Sequence, residues 1–204
     1  MKKNNHPERQ KPVAKAKPSP LDEFIAELRP GQSLELLQAL HILTREGKLN
    51  QDSRRKLKQI THLYQFIEKA LLSLPEGPNG LSVADLGAGK SYLGFLIYDL
   101  FFKNKEQGQM IGIETRLELV EKSKQLAQEL GFKGMIFADK SVQEAMTDTN
   151  LPPQIDVVTA LHACDSATDD AIEFGLVKKS KYMILVPCCQ AEVAAVLREN
   201  RALS

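Results

Sequence analysis

No apolar run in this chain approaches the roughly 20 residues that a membrane-spanning helix needs. The first residues are polar and lysine-rich with no apolar stretch, so they do not read as a secretory leader. Cysteine is scarce. Cys164, Cys188 and Cys189 are the only three, an odd number without disulfide-framework spacing. A reducing compartment is the simplest fit, so the expectation is a cytoplasmic protein with no membrane partner. Neither sign of charge dominates: 27 Lys and Arg face 26 Asp and Glu, for a formal net charge of +1. That balance hides an asymmetry, because Lys2, Lys3, Arg9, Lys11, Lys15 and Lys17 face only Glu8 in residues 1–20.

Those first twenty residues also hold Pro7, Pro12, Pro18 and Pro20 and almost nothing apolar, the composition of a disordered basic arm. Such an arm suits nucleic-acid phosphates, or serves as a solubilising tail. The rest is richer. With 204 residues and 43% hydrophobic residues, the chain suits one domain of ordinary size with a real core. Three regions are expected: the arm at 1–20, a helical extension at 21–78, and an α/β domain at 79–204.

In the extension, Ser33 reads as an N-cap before an apolar run, with Gly47 as the stop. A long helix is predicted after Asp52 or Ser53, where Leu57, Ile60, Tyr64, Ile67, Leu71 and Leu74 recur at three-four spacing. His41 and His62 fall inside these helices. Arg54, Arg55, Lys56 and Lys58 crowd the first turns of the long helix, where the helix dipole disfavours cations. They read as a solvated face or as a contact for a polyanion such as RNA. Residues 75–80, Pro-Glu-Gly-Pro-Asn-Gly, then interrupt the chain.

Strands and helices alternate from there. Strands are expected at Leu81–Leu86, Gln109–Ile113, Gly134–Ala138, Ile155–Leu161 and Tyr182–Pro187. Helices are expected at Tyr92–Phe102, Arg116–Leu130 and near Ala167–Leu176, with a last one beginning near Ala191. This order means right-handed crossovers and a mostly parallel sheet covered on both faces.

The most informative segment is Val83-Ala84-Asp85-Leu86-Gly87-Ala88-Gly89-Lys90-Ser91, an apolar strand ending in an acid and a glycine turn. Met110-Ile111-Gly112-Ile113-Glu114 is a second strand ending in an acid. Glycines at such a turn let a backbone approach a ligand closely, and an acid at the next strand tip can take two ribose hydroxyls. Two cofactor classes fit. The turn satisfies a relaxed phosphate-loop pattern ending in Gly89-Lys90-Ser91, but Ala84 stands where the strict pattern has Gly, and the Asp85 carboxylate would repel a triphosphate. The same acid suits the cationic S-adenosylmethionine. Asp85, Gly87, Ala88, Gly89 and Glu114 are therefore the candidate cofactor residues, with Asp139 placed to accept from the adenine amino group or to act as an ordinary loop acid.

Leu161-His162-Ala163-Cys164-Asp165 and Val186-Pro187-Cys188-Cys189-Gln190 end strands four and five. His162 or Asp165 is a candidate base and Cys188 or Cys189 a candidate nucleophile. The set His162, Cys164, Cys188 and Cys189 has the donors for a metal but matches no standard zinc spacing, and plain packing of the cysteines is the remaining reading.

The first glycine turn with Ile111–Glu114 resembles the class I S-adenosylmethionine-dependent methyltransferases. Adding His162–Asp165, Ala167–Ala171 and Val186–Gln190 gives a narrower resemblance, over roughly residues 54–190. It is similar to the methyltransferase-domain family whose relatives include ribosomal RNA adenine dimethylase domain-containing proteins. The resemblance implies a Rossmann-like fold and an enzyme with S-adenosylmethionine as cofactor, and leaves the acceptor open. The basic arm and the Arg54–Lys58 cluster favour RNA, with a protein acceptor as the alternative. In that fold two further strands follow strand five, and the expectation is a domain lacking them at its carboxyl end. No Asn-Pro-Pro-Tyr-like tetrad follows strand four, so adenine dimethylation has no support among the residues. A nucleotide hydrolase and a non-catalytic cofactor- or metal-binding module are the competing classes.

Overall fold

The computed structural model describes residues 28–44, 51–161 and 166–187. Every element below belongs to the compact unit that begins at Gly31. Among the described residues two helices come first, α1 at Leu34–Ala39 and α2 at Gln51–Leu72. Then follow β1 (Ser82–Leu86), α3 (Tyr92–Ile97), β2 (Gln109–Glu114) and α4 (Leu117–Glu129). The rest comprises β3 (Met135–Asp139), α5 (Val142–Thr147), β4 (Val157–Leu161), α6 (Ser166–Val177) and β5 (Tyr182–Val186).

The five strands form one sheet in the order β3-β2-β1-β4-β5, every pair parallel. Hence β1, the strand leading into the glycine turn, is central and buried along most of its length. Side chains alternate across a strand, so the register sorts residues onto two faces. Ala84, Leu86, Ile111, Ile113, Val158 and Ala160 point one way and pack with Ala145, Ala171 and Phe174 from α5 and α6. Val83, Asp85, Met110, Gly112, Glu114, Val157 and Thr159 point the other way, toward α2, α3 and α4. Polar groups concentrate on this second face, at its carboxyl end.

The apolar stripe read in α2 is buried over most of its length: Leu57, Ile60, Tyr64, Ile67 and Leu71 are all nine-tenths or more covered, whereas Leu74 lies past the helix end and is half-buried. The described helix, Gln51–Leu72, includes the expected start. Ser33 caps α1, its hydroxyl accepting from the Leu36 N–H at 3.4 Å. The stop differs from expectation. α1 closes at Ala39 in a Schellman turn, the Ile42 and His41 N–H groups donating to Leu37 and Gln38 carbonyls at 2.9 Å. His41 takes the left-handed position, φ 55°, and so lies outside the helix. Burial of Leu40, Ile42 and Leu43 outweighs the ordinary preference for glycine there. Gly47 lies outside the described residues. His62 does sit in α2, exposed, its ring edge-on to Phe66 at 5.2 Å.

The helix expected over 92–102 changes character midway, Tyr98–Phe102 being wound as a π turn. α5 has no counterpart among the expected helices, although Ser141-Val142-Gln143-Glu144 is a capping box. The Ser141 hydroxyl accepts from the Glu144 N–H at 3.2 Å, and the Glu144 carboxylate accepts from the Ser141 N–H at 2.8 Å.

A buried acid docks α1. Asp99 accepts from the Ser33 N–H at 2.8 Å and from Lys103 Nζ at 3.1 Å, with its side chain wholly covered. Truncating it would leave a buried N–H without a partner. Asp99→Ala is therefore expected to lower the unfolding free energy by about 1–3 kcal/mol. In hydrogen exchange, amides of 33–43 should lose protection first; protection unchanged there would contradict this docking role.

Candidate functional site

The carboxyl ends of β1, β2 and β3 carry Asp85, Glu114 and Asp139 on one face of the sheet. Glu114 and Asp139 are register partners, and Asp85 sits opposite Gly112, two residues before Glu114. Between them runs the turn from Gly87 to Ser91. Gly87 and Gly89 have φ of 64° and 59°, a conformation that glycine adopts without the penalty a Cβ imposes. Ser91 continues it at φ 52°, where a non-glycine residue is strained. Its hydroxyl is buried and has no partner among the described residues. Gly112 lets the turn sit down on β2. A Cβ there would stand 2.8 Å from the Phe137 ring and 3.4 Å from Ala88 Cβ.

Three N–H groups of the turn are committed to the chain itself. Ala88 donates to the Ile113 carbonyl at 3.0 Å, Gly89 to Glu114 Oε2 at 2.8 Å, and Ser91 to the Ala88 carbonyl at 2.7 Å. A phosphate loop needs such groups aimed at the ligand. This turn spends those of Ala88, Gly89 and Ser91 inward, which counts against the phosphate-loop reading.

Glu114 is the best-held side chain of the site, with 6% of its surface exposed. Oε1 accepts from the Arg116 N–H and from Arg116 Nε, both at 3.0 Å. Oε2 accepts from Arg116 Nη2 at 3.0 Å and from the Gly89 N–H. The Thr115 hydroxyl stands 3.5 Å from Oε1. The Arg116 side chain, through hydrogen bonds foremost, holds the Glu114 carboxyl down at about 2 against the contrary pull of burial. A depressed acid contributes stability above its unfolded value near 4.5 and loses it as pH falls through about 2.

Asp85 is the opposite case. It is 3% exposed, and Thr159 Oγ1 donates to its Oδ1 at 2.7 Å across the β1–β4 ladder. Burial pushes its carboxyl up to about 7, while the Thr159 hydroxyl pulls it down. At neutral pH the group stands near its midpoint. Asp139 is exposed beside Glu114. Lys90 is exposed at the end of the turn.

Of the basic cluster, Arg54, Arg55, Lys56 and Lys58 are all exposed on the first two turns of α2. Lys56 Nζ lies 3.6 Å above the centre of the Tyr92 ring, and Tyr92 opens the helix directly after the glycine turn. Arg55 faces Asp52 at 3.8 Å. The start of α2 thus stands beside the turn.

Asp85, Gly87, Ala88, Gly89, Glu114 and Asp139, singled out in the sequence, do come together in space. Arg116 and Thr159 join them without having been expected. Thr159 had a signal, being the one polar residue in the apolar strand Val-Val-Thr-Ala-Leu, whereas Arg116 had none beyond its place two residues after Glu114. His162, Asp165 and Cys188 lie outside the described residues, as do Cys164 and Cys189. β4 and β5 are neighbours in register up to Leu161 and Val186, which lie next to those segments. Among the described residues, no cluster of His, Cys, Asp and Glu could hold a metal ion, and no helix is long and apolar enough to cross a membrane.

The buried charge at Asp85 has a measurable sign. Its raised carboxyl leaves stability unaffected below about pH 4 and lowers it progressively as pH rises to about 7. Asp85→Asn keeps an acceptor for Thr159 and removes the buried charge. It is expected to raise the unfolding free energy by about 1–3 kcal/mol at pH 8 and to change little at pH 4.5. Denaturant titrations showing equal effects at both pH values would contradict this.

Residues 55–196, well over half the chain, match the family described as methyltransferase domain. No curated protein matches the chain. Among solved structures it is similar to the YcgJ protein of Bacillus, at 19% identity and TM-score 0.41, covering 57% of this chain and 44% of that one. It is also similar to a precorrin-6y C5,15-methyltransferase from Geobacter metallireducens, at 17% identity and TM-score 0.45, over 66% and 67% of the two chains. An rRNA methylase from Streptococcus thermophilus is similar at 11% identity and TM-score 0.45, over 65% and 76%. The chain thus spans less than half the length of the first of these structures. On the family match, the chain belongs to the methyltransferase-domain family, whose cofactor is S-adenosylmethionine.

Proposed function

We propose that this chain binds S-adenosylmethionine through the second face of its sheet and transfers the methyl group to RNA. One observation carries the binding: the Glu114 carboxylate is fixed at the tip of β2 against the Gly89 N–H, on the face that also bears Asp85 and Asp139. Glu114 takes the ribose hydroxyls and Asp139 accepts from the adenine amino group. Gly87 and Ala88 permit close approach of the methionyl part, and Asp85 faces its ammonium group. Those residue types fit the group, since buried acid meets cation and paired acceptors meet a diol. The cofactor supplies an electrophilic methyl on a sulfonium.

The protein's own contribution is chiefly orientation of the acceptor, the effect that makes a bimolecular transfer unimolecular. His162 or Asp165 takes the acceptor's proton, with Cys188 as the nucleophile if the acceptor is a pyrimidine carbon. RNA, ribosomal RNA included, is the proposed acceptor because cations gather beside the turn. Lys56 over Tyr92 supports that reading, and so do Arg54, Arg55 and Lys58 on the same two turns. The basic composition of residues 1–20 favours the same acceptor.

Three outcomes test this. Calorimetry should give micromolar-range binding of S-adenosylmethionine and S-adenosylhomocysteine but not ATP, and Glu114→Ala should weaken it by about tenfold or more, as expected for a lost charge-assisted pair. ATP binding instead would refute the assignment. Because the ionised Asp85 is the form that holds an ammonium, S-adenosylhomocysteine affinity should rise about tenfold from pH 6 to pH 7.5 and be flat in Asp85→Asn. An equally steep rise in that variant would exclude Asp85. For the acceptor, replacing Arg54, Arg55, Lys56 and Lys58 with Gln should weaken RNA binding and flatten its salt dependence, each lost phosphate contact reducing the slope by about one. RNA binding unchanged, with methyl transfer intact, would point to a protein acceptor.

A further inference from the structure

The Glu114 carboxylate is already saturated by its own chain. A carboxylate offers about four lone-pair positions. Here two backbone N–H groups, from Gly89 and Arg116, take two of them, and the guanidinium of Arg116 takes the other two through Nε and Nη2, the Thr115 hydroxyl adding only a long contact of 3.5 Å. The fork arrangement is bidentate, the strongest and most directional pairing available to a carboxylate. A ribose diol approaching Glu114 needs two of the same four positions. The backbone donors cannot leave, since the Gly89 N–H belongs to a turn pinned to β2 and the Arg116 N–H begins α4. The guanidinium can leave. The Arg116 side chain is 59% exposed, against 7% for Glu114, and it lies over the turn, with Nη2 3.7 Å from where a Cβ on Gly89 would stand.

We propose that Arg116 is a latch on the ribose site, competing with the cofactor's diol for Glu114 and swinging into solvent when the cofactor binds. The inference rests on the assignment of Glu114 to the ribose. Two consequences distinguish a latch from a simple strut. The guanidinium end of the pair is exposed, so salt screens it and relieves the competition. And the side chain that departs is the arginine's alone, which leaves the two backbone donors to keep the carboxylate aimed. Discrimination follows as well, because a ligand with one hydroxyl replaces only half of the bidentate fork and competes less well with the guanidinium. The latch thus selects ribonucleoside ligands over those that lack the diol.

The test uses the full chain, native and with Arg116→Met, Arg116→Lys or Glu114→Ala. S-adenosylhomocysteine affinity and association rate are measured at low and high salt, with the ¹⁵N resonance of the Arg116 Nε–H followed by nuclear magnetic resonance. Arg116→Met keeps the stem and the backbone N–H, and is expected to bind about threefold tighter and faster at low salt, an advantage that disappears at high salt. Arg116→Lys should fall between the two, having a single point donor in place of the fork. In the native chain the Nε–H resonance should move to the position of a solvent-exposed arginine as ligand is added. Equal or weaker binding by Arg116→Met overturns the latch, whatever the resonance does. A loss of affinity in Glu114→Ala would then show that the ribose assignment survives. If Glu114→Ala binds as tightly as the native chain, the ribose assignment itself fails and the latch falls with it.

Discussion

The arrangement depends on one carboxylate. Glu114 ends β2, receives the Gly89 N–H and so ties the glycine turn after β1 to the neighbouring strand. Without that bond the turn would be held to β2 by the Ala88–Ile113 bond and by packing alone. With it, three left-handed residues in five, one of them a strained serine, are kept in a single conformation. Strain of this kind persists only where surrounding structure over-determines it. Here the surrounding structure is the β1–β2 ladder, opened by Gly112 so that Ala88 and Phe137 can close over it.

The two acids of the site are tuned in opposite directions by the same physics. Glu114 is paired with a cation and two backbone donors, and remains ionised far into acid. Asp85 is more deeply placed and has one hydroxyl for company, so its charge is costly near neutrality. A group so placed ionises readily only when a cation joins it. Separated environments of this kind suit two carboxylates to distinct tasks.

Much of this is legible in the residues, for reasons that differ by element. The α2 stripe and the alternation of strands and helices follow from periodicity, and the structure has them where the pattern puts them. The acids at strand ends stand out because an apolar run that stops at Asp or Glu before glycine marks the carboxyl edge of a parallel sheet, where ligands bind. The rest depends on geometry that sequence does not encode. The end of α1 is set by burial of Leu40, Ile42 and Leu43, which puts a histidine where glycine is usual. α5 spans only 6 residues, too few for an apolar period to show, and its capping box is the one local signal. Arg116 is two residues from Glu114, yet its folding back to form a fork depends on a backbone that turns between them.

A crystal structure of the protein grown or soaked with S-adenosylhomocysteine bears most directly on the role of Glu114. Both ribose hydroxyls are expected within hydrogen-bonding distance of its carboxylate, with the adenine amino group beside Asp139 and the ammonium group beside Asp85. The Arg116 side chain should be turned away. A nucleoside bound elsewhere, with the Arg116 fork still closed on Glu114, would contradict that role.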